Sequence, residues 1–155
     1  RMGRQERLVT DMTPLSIEES RALGVNSSCQ RMANGEFRPR IMRDCYGYIM
    51  TIMPPDMPGG WQNSHLHRSV METYIVQEGW IALANLKDQL VIRVYRAGAI
   101  FTTEIDDAHN VYVSSGTVIH TVKHGKIVPK DWVPCPDLDT LTQYLSEAKL
   151  LALAV

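Results

Sequence analysis

Three side chains of this 155-residue chain, His65, His67 and Glu72, stand at a spacing that could hold a metal ion. In a strand, residues i and i+2 share a face, so both imidazoles of His65-Leu66-His67 point to one side. Glu72 falls on the next strand, with Tyr74 and Val76 on its face and Thr73, Ile75 and Gln77 on the other. Two neutral imidazoles and one carboxylate make a borderline-soft site suited to Fe, Mn, Ni, Zn or Cu. Tyr74 is placed to donate a proton or hydrogen bond to a substrate, or else to be a core tyrosine with a satisfied hydroxyl. His120 shares a strand face with Val118 and Val122, an apolar row expected to point inward. There it could act as a general acid or base, or be a core histidine bonded to a neighbouring carbonyl or tyrosine.

These residues need a rigid scaffold, and the patterning supplies an all-β one. Cys45 to Met53 reads as a buried strand stopped by Pro54-Pro55. Short strands follow at Glu72–Gln77, Trp80–Leu86, Leu90–Tyr95, Ala99–Glu104, His109–Val113 and Thr117–Lys123, separated by turn signals such as Gly79 and Lys87-Asp88-Gln89. Even spacing of this kind predicts a β-sandwich or barrel, and the absence of an internal repeat predicts one barrel. A short N-terminal helix is expected after Thr13-Pro14 or a Ser16/Glu19 capping box, ending at Gly24. Asn26 to Arg40 is polar and turn-rich and reads as a loop arm. After Pro134 and Pro136, Leu138, Leu141, Leu145, Ala148, Leu151 and Val155 recur three or four apart. They predict an amphipathic helix over about 137–153, capped by Asp137 or Asp139, packed outside this barrel or a partner's. The domain plan is therefore one unit over 1–155, with an arm (1–44), a barrel (about 45–128) and the C-terminal helix.

With its His-x-His and Glu in place, the stretch from Met50 to Lys123, about half the chain, resembles the cupin family. The first cupin motif runs Gly, five residues, His-x-His, three or four residues, Glu, six residues, Gly; here Gly59, His65, His67, Glu72 and Gly79 keep it. The second runs Gly, five residues, Pro-x-Gly, two residues, His, three residues, Asn. Here Gly98 and His109 keep the spacing, while Glu104, Asp106 and Val113 replace the proline, inner glycine and asparagine. The resemblance implies a double-stranded β-helix, or jelly-roll barrel, holding one divalent transition metal through His65, His67, Glu72 and His109. His120, at the end of Ser114-Ser115-Gly116-Thr117-Val118-Ile119-His120, is the rival fourth ligand, with one residue too many for the motif. His109 is preferred because its distance from Gly98 needs no insertion.

Cupins host many chemistries, so the fold does not fix the reaction. The leading expectation is a metal-dependent enzyme on a small organic substrate, of the dioxygenase, decarboxylase or lyase type. A sugar-phosphate or nucleotide-sugar isomerase or epimerase, with His120 and Tyr74 as acid/base groups, is the second. A non-catalytic metabolite- or metal-binding cupin is the third. Phosphates would require Arg or Lys at the mouth, where Arg68, Arg93 and Arg96 stand by position, but alternation points Arg68 and Arg93 away. With 45% apolar and 21% charged residues and a net charge of −1, the composition is that of a globular protein. It offers no basic face for nucleic acid and no run of the roughly 20 apolar residues that a membrane span needs. The charged start, Arg1 to Arg7, does not read as a signal peptide. Three cysteines without metal spacing fit reduced, structural thiols in a cytoplasmic protein. Outward Leu66, Thr73 and Ile75 and the C-terminal helix fit a homodimer, as is usual for small cupins.

Overall fold

The period-two patterning resolves into two antiparallel sheets whose inner faces share one interior. The computed structural model describes residues 13–154, so the Arg1–Arg7 segment lies outside the described residues. The first sheet runs β1 (Val25–Arg31), β2 (Phe37–Arg43), β3 (Tyr46–Ile52), β11 (Val118–Gly125), β6 (Val70–Glu78), β9 (Ile100–Thr102). The second runs β12 (Trp132–Pro134), β5 (His65–His67), β10 (Ala108–Val113), β7 (Trp80–Leu86), β8 (Leu90–Arg96), with β4 (Gly60–Trp61) also on β10. Consecutive strands β5 and β6 lie in opposite sheets, and β11 sits between β3 and β6. These crossovers make the roll expected of the sequence.

Along each strand the inner residues change from polar to apolar. Glu72 leads to Tyr74 and Val76 on β6, His109 to Val111 and Val113 on β10, and Thr121 to Ile119 on β11. Met53, Tyr74, Val76, Ile81, Leu83, Val111, Val113 and Ile119 form a buried floor that closes one end of the lumen. The polar residues are left at the other end. Strand β7 is buried on both faces, which is why it reads as a nearly unbroken apolar run. Its Ala82 and Ala84 meet Ile92, Tyr112, Leu138 and Leu150 in a second core outside the barrel.

Three expectations need correction. The Asn26–Arg40 arm is not a loop: β1 and β2 form a hairpin with Val25 opposite Arg43, so the barrel begins well before residue 45. Its composition misleads because β1 is an exposed edge strand and β2 turns arginines into the lumen. The dipeptide Asn34-Gly35 is the turn signal, with Gly35 at φ 96°. Second, the C-terminal helix is two, α2 (Pro136–Thr142) and α3 (Glu147–Leu153). The break at Gln143–Ser146 resets the helical phase, so Leu138, Thr142 and Leu150 are buried while Leu141 and Leu151 are exposed. Third, Cys135 occupies the N-cap of α2, with Pro136 in the first turn, and Asp139 instead accepts the Ser64 backbone N–H at 2.9 Å. Both helices cover this chain's own second sheet. They are tied to it by Trp61 Nε1–H donating to the Leu145 carbonyl (3.3 Å) and Tyr112 O–H to Glu147 (3.1 Å). Burial and that carboxylate push the Tyr112 phenol up to about 12.

At the N-terminus, Ser16 caps α1 (Ile17–Ala22) in a reciprocal capping box with Glu19, the second of the two starts considered. All three cysteines are unpaired, though none is fully buried. Thr73 and Ile75 do face outward, beside exposed Ile41, Ile100 and Val122 on the outer face of the first sheet.

Candidate metal centre

Strands β5, β6 and β10 bring His65, His67, Glu72 and His109 to one point at the polar end of the lumen. His109 pairs directly with His65 in the β10–β5 ladder. Around Glu72, His109 Nε2 lies 3.1 Å from Oε2, His67 Nε2 3.4 Å from Oε1 and His65 Nε2 3.8 Å from Oε2. The ligand atoms of His65, His67 and Glu72 lie within 4.8 Å of one another, a group able to hold a metal ion.

The other nitrogen of each ring fixes its tautomer. His65 Nδ1–H donates to the Asn63 carbonyl (2.8 Å), and His109 Nδ1–H to the Asp107 carbonyl (2.9 Å). His67 Nδ1–H donates to the Asp131 carboxylate (2.5 Å). In the neutral rings all three Nε2 atoms therefore carry lone pairs, and all three face a carboxylate. Lone pairs and an anion repel unless a cation or proton lies between them. His67 Nε2 is buried and has no hydrogen-bond partner among the described residues. This donor set fits a divalent transition metal.

Titration of these groups follows the same geometry. Burial raises the pKa of Glu72, but the hydrogen bond with His109, the facing rings of His65 and His67 and the Lys123 charge outweigh it and hold the carboxyl well below the usual range. Burial favours neutral His109, yet the Glu72 hydrogen bond and charge move its pKa upward. Asp131 is also buried, which opposes ionisation; hydrogen bonds from His67, Val70 and Ser69 bring it down to about 2. Thr103 anchors Glu72, its Oγ1 accepting the Glu72 N–H (3.0 Å) while its own N–H donates to the Glu72 carbonyl (2.9 Å).

Tyr74 lies on the Glu72 face, as expected, and donates to Glu72 Oε2 at 3.1 Å. Burial and the adjacent carboxylate push its phenol well above the usual value, so it remains a hydrogen-bond donor. His120 is placed otherwise. The inward row of β11 is Ile119 and Thr121, so His120 and Val122 face outward. His120 Nε2–H donates to Gln77 Oε1 (2.5 Å) and Nδ1 accepts from the Tyr48 hydroxyl (2.6 Å), which satisfies the ring away from Glu72.

Sequence reasoning missed the lumen cations Arg38, Arg40 and Lys123, which line a cavity of about 240 Å³ with His65, Glu72 and Tyr74. Arg68 is exposed, and Arg93 lines a different cavity beside Leu83 and Asp107. Asp131 was also missed, because no local pattern ties it to His67.

No family model and no curated protein matches the sequence. Solved structures do match. The cupin domain of Drosophila melanogaster CENP-C superposes with a TM-score of 0.51 at 12% identity, covering 72% of this chain and 82% of that one. A Klebsiella pneumoniae protein with a double-stranded beta-helix domain superposes at 0.52 and 16% identity, over 80% of this chain and 98% of that one. The fold is that of a cupin. The Staphylococcus aureus capsular polysaccharide assembling protein CapF gives 0.55 at 12% identity, over 70% of this chain. The match spans 31% of CapF.

The cupin motif positions have physical reasons in this chain. Gly79 takes φ +73°, and a Cβ there would overlap the Thr117 hydroxyl. Gly59 takes φ +83°, and a Cβ there would clash with the Val113 carbonyl oxygen at 2.7 Å. Asp106, in place of the cupin inner glycine, keeps the left-handed conformation at φ 59°, which Asp tolerates better than most residues. Its N–H donates to the His67 carbonyl (2.8 Å), pinning the turn against the ligand strand.

Proposed function

We propose that this cupin is a metal-dependent enzyme acting on a small organic molecule in the lumen beside Glu72. The observation that carries the reading is the convergence of three Nε2 atoms on one carboxylate, with His67 Nε2 buried and without a hydrogen-bond partner among the described residues. His65, His67, Glu72 and His109 would hold the ion, which when bound supplies a Lewis acid or redox centre. Tyr74 orients Glu72 through its hydroxyl and stacks on Phe101, ring centroids 4.9 Å apart. The apolar floor keeps water from the far side of the lumen. Trp132, 51% exposed, stacks on His65 (5.6 Å) and, with Gln62 and Arg38, frames the polar end where a substrate would enter.

A metal-free isomerase using His120 with Tyr74 is less well supported, because the two side chains lie on opposite faces of the sheet. The cavity, about 240 Å³, also falls below the ~300–1,000 Å³ typical of pockets for drug-sized ligands, which disfavours a nucleotide sugar. The test is turnover. Protein loaded separately with Fe, Mn, Ni and Zn is offered small acids, diketones and flavonoids, with oxygen uptake and product mass as readouts. Turnover that needs the metal and disappears in Glu72→Gln is expected. A metal-loaded protein that binds members of the panel but converts none would leave the binding-module reading in its place.

A further inference from the structure

The cavity beside Glu72 carries more positive charge than its acids neutralise. Arg38 is matched: Glu36, fully buried, accepts from Arg38 Nε and Nη2, both at 2.7 Å, and is held by Asn34 and Gln62. Lys123 is matched in part, its Nζ lying 3.5 Å from Glu72 Oε1. Arg40 makes no ion pair among the described residues, and its Nε is buried without a hydrogen-bond partner. Arg38 and Arg40 are two apart on β2, so both enter the lumen, where their charges repel. Arg40 is half-buried, but a guanidinium whose Nε is buried with no acceptor is unfavourable, and a planar carboxylate is the partner its fork geometry fits best. A divalent metal at the neighbouring ligands would raise the positive charge further.

We propose that the cavity takes a small organic acid whose carboxylate pairs with the Arg40 guanidinium, a step that rests on reading the cavity as the substrate site. Arg40 then orients the acid, while Ile49 and Thr51 on β3 and Thr121 on β11 shape the wall beside it.

Calorimetry tests this without relying on turnover. Zinc-loaded wild type is titrated with benzoate, succinate, the corresponding amides and inorganic phosphate. At least one carboxylate binds and its amide does not. Arg40→Gln weakens that binding by about 10- to 100-fold, the usual effect of losing a charge-assisted pair, with zinc content unchanged. Arg40→Lys recovers only part of it, because an ammonium cannot form the paired bonds. Should Arg40→Gln fail to retain zinc, Arg40→Lys carries the comparison alone. Equal carboxylate affinity in wild type and Arg40→Gln overturns the proposal, as does binding of phosphate with neither carboxylate, or of no anion. Arg40-dependent binding without turnover would sink the enzyme reading and leave this one standing. Metal-dependent turnover untouched by Arg40→Gln would do the reverse.

Discussion

Asp131→Asn lowers metal affinity by about 10- to 100-fold, the range seen when a group supporting a histidine ligand is changed, and it does so without removing a ligand. One Asp131 oxygen accepts three bonds, from Ser69 N (2.8 Å), Ser69 Oγ (2.9 Å) and Val70 N (2.9 Å). The other accepts from His67 Nδ1. An asparagine has only one acceptor oxygen, and three donors outweigh one, so its NH₂ turns toward His67. Nδ1 must then accept, which moves the ring proton to Nε2 and blocks the lone pair that faces Glu72. Competition against a chromophoric chelator measures the change, and circular dichroism confirms that the barrel persists. Unchanged affinity would mean that Asp131 is a purely structural carboxylate.

The second large effect concerns stability. Leu138→Ala destabilises the fold by about 2–5 kcal/mol, the usual range for a fully buried leucine, because Leu138 is completely enclosed against Ala82, Ala84 and Ile92. At about 2–4 °C per kcal/mol for a chain of this size, Tm falls by about 4–20 °C. Leu141→Ala, at an exposed position of the same helix, changes stability by less than about 0.5 kcal/mol. Thermal unfolding of the two variants decides whether the helix break assigns the buried face correctly. Equal losses would restore the single continuous helix. Metal content is unchanged in both, because the ligands lie on the inner face of the sheet and Leu138 on the outer.

Strands β3 and β6 to β11 and three ligand candidates were legible in the sequence because their signals are local, whereas β4 (Gly60–Trp61) and β12 (Trp132–Pro134) are too short to show a period and were missed. His65-x-His67 and Glu72 sit on strands consecutive in sequence, and period-two alternation groups the side chains of each strand by face without knowledge of the rest. His109 needed strand pairing, which spacing from Gly98 supplied only through the cupin resemblance. His120 was misplaced because both faces of β11 are apolar or neutral: Val118 and Val122 lie outside, Ile119 and Thr121 inside. A register shift between Val118 and Ile119 further obscures the parity. Arg38 and Arg40 were hidden because a strand facing a charged lumen has the composition of a loop. Asp131 is 64 residues from His67 in sequence, and only the closed barrel brings them together.

The central claim, that His65, His67, Glu72 and His109 hold one metal ion, is tested most directly by elemental mass spectrometry of protein purified without an affinity-tag histidine. After reconstitution with Fe, Mn, Ni or Zn, wild type and His120→Ala retain about one equivalent per chain and His109→Ala loses it, as expected where metal binding depends on a complete ligand set. Less than about a tenth of an equivalent in wild type with all four metals, against the stoichiometric retention such a set confers, would contradict the account.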